Sequence, residues 1–489
     1  MTLRIRELRT LDKDLERLSA AERAGVQSLR PLVRIGVAVL FVAIMVVAAS
    51  AVASGFGSGL ASDQRAAVAT IAAGVALAAY LALTIGANDV SNALSPAVGS
   101  GAIGLRAGLA LVAVAEIAGA VLAGDRVSTT LSAGIVNSAQ LLADGQAAPA
   151  MLAALLAAAL WINLATLAGA PVSTTHSIVG GFAGAGLAVY GLSAVNWLGL
   201  AAIASGWIVS PLAAGLVSAG LLAVVRSRID RDPDPRAAAR RWLPAMVAVV
   251  TAVGAGMLVG GPLGQPPVVA VTLMALIGAA VRAAALQHLD RRLAAAGGER
   301  PQQRDLFALP LVLGAVLMAF AHGANDASNV TAPLGLILAA ANQRTGLAAG
   351  VAAPDLSLVA TLAAGGGLAL GALLFGWRLV VMVGSRITRL NPVRAFCVSL
   401  GTAGVVLAAS WLGLPVSTTH VAVGGVFGVG FYREWEDRRR KRDRKALPVE
   451  ETRRRTLVRR AHVRRILLAW AITLPASAAL AALFGTMMR

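Results

Sequence analysis

The sequence predicts an all-α polytopic membrane protein with about 11 or 12 transmembrane segments. Hydrophobic residues make up 57% of the 489 positions, charged residues make up only 14%, and the mean hydropathy is +0.74. A soluble globular domain carries about 25% charged residues, so this is a membrane composition. No Asp, Glu, Lys or Arg occurs from Gly145 to Val225, a stretch far longer than the roughly 20 residues that one helix needs to cross a bilayer.

Apolar segments define the predicted membrane helices. Two apolar stretches, 171–190 and 415–432, are too rich in glycine to be assigned from their sequence. Ala and Gly are abundant in almost every segment, as close helix packing in lipid requires. The assigned segments are 35–56, 66–86, 101–123, 148–170, 196–225, 242–260, 267–287, 306–322, 356–377, 395–413 and 466–487.

Positive charge is concentrated at the ends of these segments. Basic segments that flank apolar spans are typical of cytoplasmic loops. Most of the 43 Lys and Arg, which give the chain a formal charge of +19, lie in 1–34, 226–241, 282–304 and 433–465. We therefore expect a multi-pass protein of the cell (plasma or inner) membrane, in contact with the lipid bilayer and without a nucleic-acid partner. Its N terminus is expected to be cytoplasmic and its C terminus outside.

Two sequence motifs occur twice, in the same order. GANDVSN at 86–92 returns as GANDASN at 323–329, and PVSTTH at 171–176 returns at 415–420. Such a pattern indicates that one half of the protein has been duplicated. The predicted units are a basic extension (1–34), an extra transmembrane helix (35–56), the first repeat (66–225), cytoplasmic loops with a central transmembrane pair (226–305), and the second repeat (306–487), which includes the basic loop 433–465.

The basic segments also predict the relative orientation of the two repeats. With 1–34 inside, the helix at 35–56 leads outward, so the first repeat begins outside. The segments 242–260 and 267–287 connect two basic loops, so the second repeat begins inside. An inverted-topology duplication is the architecture of many secondary transporters, with broken or re-entrant helices and a site near the membrane midplane. The predicted fold class is therefore an inverted-topology repeat transporter.

Each GAND motif places an aspartate within apolar sequence. An ionisable group such as Asp89 or Asp326 costs about 3 kcal/mol in a membrane segment unless it is paired, so it is a functional hypothesis by default. Asn88 and Asn325 add carbonyl oxygens, and such oxygen ligands suit Na+ or, at the carboxyl groups, a proton. The alternative is that the aspartates are helix N-caps. The motif glycines and the prolines that follow them predict a helix break in both copies: Gly86 and Gly323, Pro96 and Pro333.

The PVSTTH motifs are suited to anion binding. A proline precedes hydroxyl residues, as at the start of a helix, where free backbone N–H groups and the helix dipole attract anions. The alternative is an ordinary Ser/Thr cap after a loop. For His176 and His420, a structural hydrogen bond and a proton-handling or ligand role both stay open. The hydroxyl donors are Ser173, Thr174 and Thr175 in the first copy, and Ser417, Thr418 and Thr419 in the second.

Glu116 breaks the symmetry of the repeat. When the GDRV segment is aligned with its GWRL counterpart, the position that matches Glu116 holds Leu368. Two interpretations stay open for this carboxylate, a structural pairing with Arg126 or Arg106 and a role in transport. Asp125 and Arg126 are predicted to mark the membrane surface.

The paired GAND and PVSTTH motifs resemble the signatures of the inorganic phosphate transporter (PiT) family, over roughly 66–225 and 306–487. The resemblance implies a homodimer that carries inorganic phosphate by symport with Na+ or H+ through alternating access, with no catalysis and no cofactor. It also implies a part in transport for Glu116. By the same resemblance the coupling ions bind at Asn88, Asp89, Asn325 and Asp326, with Na+ at the two aspartates. Phosphate then binds at Ser91, Asn92, Ser328 and Asn329 together with the six hydroxyl residues of the PVSTTH motifs.

Three other functions stay open on the sequence. Sulfate or another tetrahedral oxyanion would fit the same donors, since hydroxyls and helix ends recognise shape. A membrane hydrolase would need Asp, Ser and His in a catalytic arrangement, but neither motif serine lies in a G-x-S-x-G elbow. A passive channel would lack cation-dependent accumulation. The single cysteine, Cys397, excludes a disulfide framework and a multi-cysteine metal site.

Overall fold

The computed structural model describes residues 31–54, 61–167, 172–260, 264–295, 303–345, 353–384, 391–441 and 460–488. Across these residues the chain is nearly all helical, and extended pairing is limited to one antiparallel bridge between Val136 and Val195. Over the same residues, eleven helical segments are long and apolar enough to cross a membrane. The predicted all-α polytopic membrane fold is confirmed.

The α-helices are numbered in chain order. A 3-10 turn (Gly191–Ala194) follows α7, and a π-helical turn (Arg226–Asp230) ends α8. The helices are α1 (Pro31–Ser54), α2 (Ser62–Gly99), α3 (Leu105–Ala123), α4 (Asp125–Gly134), α5 (Ser138–Ala143), α6 (Ala147–Leu167), α7 (Thr174–Tyr190), α8 (Trp197–Val225), α9 (Pro235–Gly260), α10 (Pro267–Ala295), α11 (Gln303–Asp326), α12 (Ser328–Thr345), α13 (Ala353–Phe375), α14 (Trp377–Met382), α15 (Pro392–Trp411), α16 (Thr418–Lys441) and α17 (Arg460–Met487).

Ten of the eleven predicted apolar segments coincide with a candidate membrane span, and two of these spans extend well beyond the predicted ends, to Gly99 and to Gln343. The eleventh segment, 466–487, lies in α17, whose apolar part is the shorter Ala471–Met487. The two glycine-rich stretches left unassigned from the sequence form α7 and α16. The prediction of a loop at 433–465 is wrong for 433–441, which continue α16 as helix, and for 460–465, which begin α17. Residues 1–30 of the predicted N-terminal extension and 442–459 of the predicted basic loop lie outside the described residues.

The helix break predicted at both GAND motifs occurs in one copy only. Helix α2 is continuous through Asp89 and Pro96, so the prediction is wrong for the first copy. In the second copy, α11 ends at Asp326 and α12 begins at Ser328, so the helix is interrupted at Ala327. The interruption is one residue long, because the Ala327 N–H donates to the Gly323 carbonyl at 3.3 Å and the Ala327 carbonyl accepts from the Thr331 N–H at 2.9 Å.

The glycines of the GAND motifs are needed for close helix crossing rather than for a break. A Cβ atom added to Gly86 of α2 would lie 1.9 Å from the backbone oxygen of Leu368 in α13. A Cβ atom added to Gly323 of α11 would lie 2.1 Å from the backbone oxygen of Glu116 in α3. Membrane helices approach each other this closely only at small residues. Because Leu368 is the counterpart of Glu116, the two crossings are equivalent in the two repeats.

The helix packing follows the duplication of the sequence. Helix α7 packs on α17, and its counterpart α16 packs on α8, the counterpart of α17. In the same way α2 packs on α13, while α11 packs on α3. Helices of one repeat therefore pack against helices of the other, as a two-fold duplicated bundle requires. This interleaving brings both GAND motifs and both PVSTTH motifs together inside the bundle, while the opposite orientation of the repeats in the membrane stays a prediction.

Candidate functional site

The two GAND aspartates meet inside the bundle. Asp89 is 2% exposed and Asp326 is fully buried. The Thr174 hydroxyl, at the start of α7, donates to Asp89 Oδ2 at 3.0 Å and lies 3.4 Å from Asp326 Oδ2. One hydroxyl group therefore bridges carboxylates that come from the two halves of the sequence.

Asp89 is surrounded by hydrogen-bond donors from three elements. Its Oδ1 atom accepts from Asn88 Nδ2 at 3.1 Å and from Asn92 Nδ2 at 3.2 Å, both on α2. The Thr419 hydroxyl of α16 donates to the same oxygen at 3.0 Å, and Asn92 Nδ2 also donates to Thr419 Oγ1 at 2.9 Å. Donors to the charged form of a buried carboxylate offset the cost of its burial. The predicted residues Asn88, Asn92, Thr174 and Thr419 thus lie around Asp89.

Asp326 has a different environment. Its Oδ2 atom lies 3.4 Å from the Thr418 hydroxyl of α16 and 3.1 Å from His322 Nε2. Its Oδ1 atom is buried and has no hydrogen-bond partner among the described residues. A buried carboxylate oxygen without a donor calls for an ion, a proton or a water. This oxygen is therefore a candidate cation ligand.

His322 is a site residue that the sequence reasoning missed. It is 1% exposed, and its Nδ1 atom lies 2.8 Å from Glu116 Oε1 of α3. Glu116 therefore contacts His322, and the pairing with Arg126 or Arg106 considered from the sequence is wrong. The signal was present, because His322 is an ionisable residue within an apolar segment, four residues before Asp326 on the same helix.

Asp89, His322 and Asp326 form a candidate cation-binding group. One ligand atom from each of these buried side chains lies within 4.8 Å of the others. Carboxylate oxygens suit a hard cation such as Na+, and the hydroxyl and amide oxygens nearby are of the same kind. The imidazole instead suits a proton, since its charge changes near neutral pH. The donor set therefore fits either coupling ion considered from the sequence.

The serines of the PVSTTH motifs cap their helices. Ser173 Oγ accepts from the His176 backbone N–H at 3.1 Å, and Ser417 Oγ accepts from the His420 backbone N–H at 3.3 Å. The cap interpretation, which was the alternative to anion binding, therefore describes the two serines. It leaves Thr174, Thr418 and Thr419 to contact the aspartates. Thr175 instead donates to the Val416 backbone oxygen at 3.1 Å, which links the two PVSTTH segments.

The two motif histidines lie side by side behind the threonines. The rings of His176 and His420 are 4.6 Å apart at their centroids, and the His176 ring lies 3.8 Å from that of Trp207. Both histidines are buried, and neither ring nitrogen of His176 has a hydrogen-bond partner among the described residues. The structural hydrogen bond considered for His176 is therefore not formed by its ring, and a proton-handling or ligand role stays a prediction for both residues.

The remaining GAND positions have separate tasks. Asn325 Nδ2 donates to the Leu414 backbone oxygen at 3.2 Å, so it contacts the second PVSTTH loop rather than Asp326. The Ser91 hydroxyl donates to the Asn88 backbone oxygen at 3.3 Å, and the Ser328 hydroxyl donates to the Asn325 backbone oxygen. Asn329 is 1% exposed, and neither its amide nitrogen nor its amide oxygen has a hydrogen-bond partner among the described residues. Its whole amide group is therefore free to bind a ligand.

Known proteins with similar sequences are described as phosphate transporters or permeases. The PHO4 family model, described as the phosphate transporter family, matches residues 85–481. A Helicobacter pylori protein named "Putative phosphate permease" is 36% identical over 434 residues, which cover 86% of this chain and 78% of that protein. The Arabidopsis thaliana protein named "Inorganic phosphate transporter 2-1, chloroplastic" is 33% identical over 440 residues, which cover 83% of this chain and 70% of that protein.

A solved structure, named "The sodium-dependent phosphate transporter", is similar in fold as well as in sequence. It superposes with a TM-score of 0.75 at 30% identity, over 86% of this chain and 98% of its own chain. The match to the family model includes both GAND motifs, both PVSTTH motifs and the residues that meet around Asp89 and Asp326. This multi-pass membrane protein belongs to the phosphate transporter family.

Proposed function

We propose that this protein carries inorganic phosphate across the cell membrane by symport with Na+, through alternating access. Membership of the phosphate transporter family supports phosphate as the substrate. The similar solved structure, named as sodium-dependent, supports Na+ as the coupling ion. The observation that carries the coupling is the meeting of Asp89 and Asp326, two buried carboxylates that share the Thr174 hydroxyl.

Charge balance makes coupling a consequence of this site. Among the described residues, no Lys or Arg side chain contacts Asp89, Asp326 or Glu116, and phosphate adds one or two further negative charges. The N-termini of α7 and α16 contribute only about half a positive charge each. In low dielectric such an imbalance is expensive, so cations must bind with the anion. Phosphate should therefore bind poorly without cations, and cations should raise its affinity.

A proton is the second candidate for the coupling ion. His322 lies between Glu116 Oε1 at 2.8 Å and Asp326 Oδ2 at 3.1 Å, so a protonated imidazole would be paired on both sides. Protonation of His322 would supply one of the positive charges that the site needs. This arrangement supports H+ as a partner or substitute for Na+ during transport.

The phosphate is proposed to bind at the starts of α7 and α16. Thr174, Thr418 and Thr419 offer hydroxyls there without a fixed charge, and the unpaired amide of Asn329 offers two donors. Ser173 and Ser417 hold the helix starts in place as caps. The proposed phosphate-binding residues are therefore fewer than the substrate-binding residues expected from the sequence.

Alternating access is proposed to follow from the inverted repeats. Helices of one repeat pack against helices of the other, which supports two repeats related by a two-fold axis. Rocking of one repeat against the other would expose the midplane site to each side of the membrane in turn. The topology is testable with Asp232→Cys and Gln265→Cys in a Cys397→Ala background. These two positions should react with an impermeant thiol reagent from opposite sides of the membrane. Reaction of both from outside would contradict the inverted arrangement.

The coupling is tested with purified protein in proteoliposomes. Labelled phosphate should accumulate above its equilibrium concentration under an imposed Na+ gradient, and sulfate at the same concentration as phosphate should not compete. Accumulation under a pH gradient alone would make H+ the coupling ion. Equal uptake with no cation gradient would indicate a passive channel. Light scattering of the solubilised protein would show whether it is the homodimer that the family resemblance implies.

A further inference from the structure

A second polar arrangement lies at the tip of the hairpin formed by α15 and α16, which we call the hairpin tip (residues 411–417). Arg126 of α4 donates from Nη1 to the Trp411 backbone oxygen at 3.0 Å. Its guanidinium carbon also lies 5.8 Å from the centroid of the Trp411 ring. Gly413 has φ +71°, and its Cβ position would lie 3.2 Å from the Arg126 backbone oxygen. A helix of the first repeat therefore holds the hairpin tip of the second.

The hairpin tip is bonded directly to the aspartate site. Leu414 accepts a hydrogen bond on its backbone oxygen from Asn325 Nδ2 at 3.2 Å. The Val416 backbone N–H donates to Asn325 Oδ1 at 3.3 Å. Asn325 is the neighbour of Asp326 in the chain. The hairpin tip is thus fixed at one end by Arg126 and at the other end by the residue beside a coupling aspartate.

An open cavity of about 390 Å³ adjoins the hairpin tip. Arg126 and Thr129 are exposed, and α4 lies on the face that the basic loops predict to be external. One water occupies about 30 Å³ of liquid, so this volume holds a tetrahedral oxyanion with several of its waters. The lining residues are Arg126, Thr129, Thr130, Trp411, Leu412 and Gly413, and no acidic residue is among them.

The bond between Arg126 and the hairpin tip is one that an anion can replace. A guanidinium has five N–H donors in a planar fork, and the bond to the Trp411 carbonyl uses Nη1. Hydrogen bonds from a guanidinium to a phosphate oxygen are charge-assisted on both sides and can be bidentate, so they are stronger than a bond to a neutral carbonyl. An oxyanion in the cavity therefore competes with the hairpin tip for the same side chain.

We propose that Arg126 is a gating residue, which captures incoming phosphate in this cavity and in doing so releases the hairpin tip. Release of the Trp411 carbonyl frees the hairpin tip to move, which opens the path from the cavity to Asn325 and Asp326. The identity of the anion rests on the proposed function. The alternative is that Arg126 only stabilises the C-terminal end of α15, where basic side chains commonly bind the last carbonyls.

The test compares Arg126→Gln with Arg65→Gln, a control at an exposed arginine at the start of α2. Each change is made in a Val416→Cys, Cys397→Ala background, because Val416 belongs to the hairpin tip and is only 1% exposed while the tip is held in place. Without phosphate, Cys at 416 should react with an impermeant maleimide about tenfold faster in Arg126→Gln than in the control. The phosphate KM is measured for Arg126→Gln in protein that keeps Val416. It should rise about tenfold or more, while kcat stays within about twofold of the wild-type value.

Either result can overturn the proposal. If Arg126→Gln matches Arg65→Gln in labelling and in KM, or if it lowers only kcat, Arg126 is not a gate. If Arg126→Gln does not fold, Arg126→Lys decides, since an ammonium can bind the carbonyl but cannot also grip an oxyanion as a fork; wild-type values would refute the proposal. The labelling measurement needs no transport, so it still tests the gate if the wild-type protein carries no phosphate.

Discussion

The two GAND motifs have nearly the same sequence but different surroundings. In the first copy α2 runs unbroken, and the positions that correspond to His322 and Glu116 are Ile85 and Leu368, which both pack in one buried apolar cluster. In the second copy the helix is interrupted after Asp326, and His322 pairs with Glu116. The duplicated site is therefore symmetric in its helix crossings and asymmetric in its charge. Changes made in matched pairs, one in each copy, separate these two properties.

The largest effect is expected from the close helix crossings, which should be equally sensitive in both copies. Gly86→Ala and Gly323→Ala each place a Cβ about 2 Å from a backbone oxygen, which no side-chain rotation can relieve. Overpacking typically costs about 1–3 kcal/mol, and a backbone clash should cost at least the upper end of that range. Thermal unfolding of the solubilised variants should show a lowered Tm. Gly335→Ala is the control, since nothing lies within 4 Å of its Cβ position. An equal Tm for the three glycine variants would contradict the close helix crossings.

The next effect concerns the aspartates. Asp89→Asn and Asp326→Asn should each abolish concentrative phosphate uptake in proteoliposomes, because each removes one of the two charges that we propose hold the coupling ion. Only Asp326→Asn should also change the pH dependence of any residual exchange, since only Asp326 contacts His322. A variant that still accumulates phosphate with unchanged cation dependence would show that its aspartate is not a coupling residue.

The asymmetric pair gives the third prediction. Glu116→Gln removes a charged partner of His322 and should slow cation-driven uptake by about ten- to a hundredfold, since a hydrogen bond to a charged group is worth about 1.5–3 kcal/mol. The matched change in the other copy, Leu368→Met, conserves volume in an apolar environment and should leave uptake nearly unchanged. Equal rates in the two variants would mean that the polar pair has no part in transport.

The last prediction concerns two hydroxyls that contact the aspartates, where the effect is expected in the phosphate KM and not in the coupling. Thr174 contacts both aspartates, whereas Thr418 contacts only Asp326, at 3.4 Å. Thr174→Ala should therefore raise the phosphate KM more than Thr418→Ala, toward about a hundredfold and about tenfold respectively. Initial rates of labelled phosphate uptake measure both values. Wild-type kinetics in both variants would move the phosphate site elsewhere.

The sequence by itself determined the all-α membrane fold and the main members of the candidate site. Its apolar segments correspond to the membrane helices, because about 20 consecutive apolar residues have few other ways to avoid water. The doubled motifs identified Asp89 and Asp326, because an ionisable residue in a membrane segment has to be paired to persist. The hydroxyl residues near these aspartates were found because they belong to a polar motif that occurs twice, and such a repetition is visible without a structure.

Only the tertiary structure decided which side chains meet. Helix α2 remains unbroken despite Gly86 and Pro96, because the glycine serves a crossing with α13 that sequence periodicity does not show. Glu116 pairs with His322, 206 residues away, because α3 crosses α11 at Gly323. Local sequence fixes the length and polarity of each helix, but which faces come into contact depends on how all the helices pack. The polar contacts that give the site its asymmetry are therefore a property of the packed bundle.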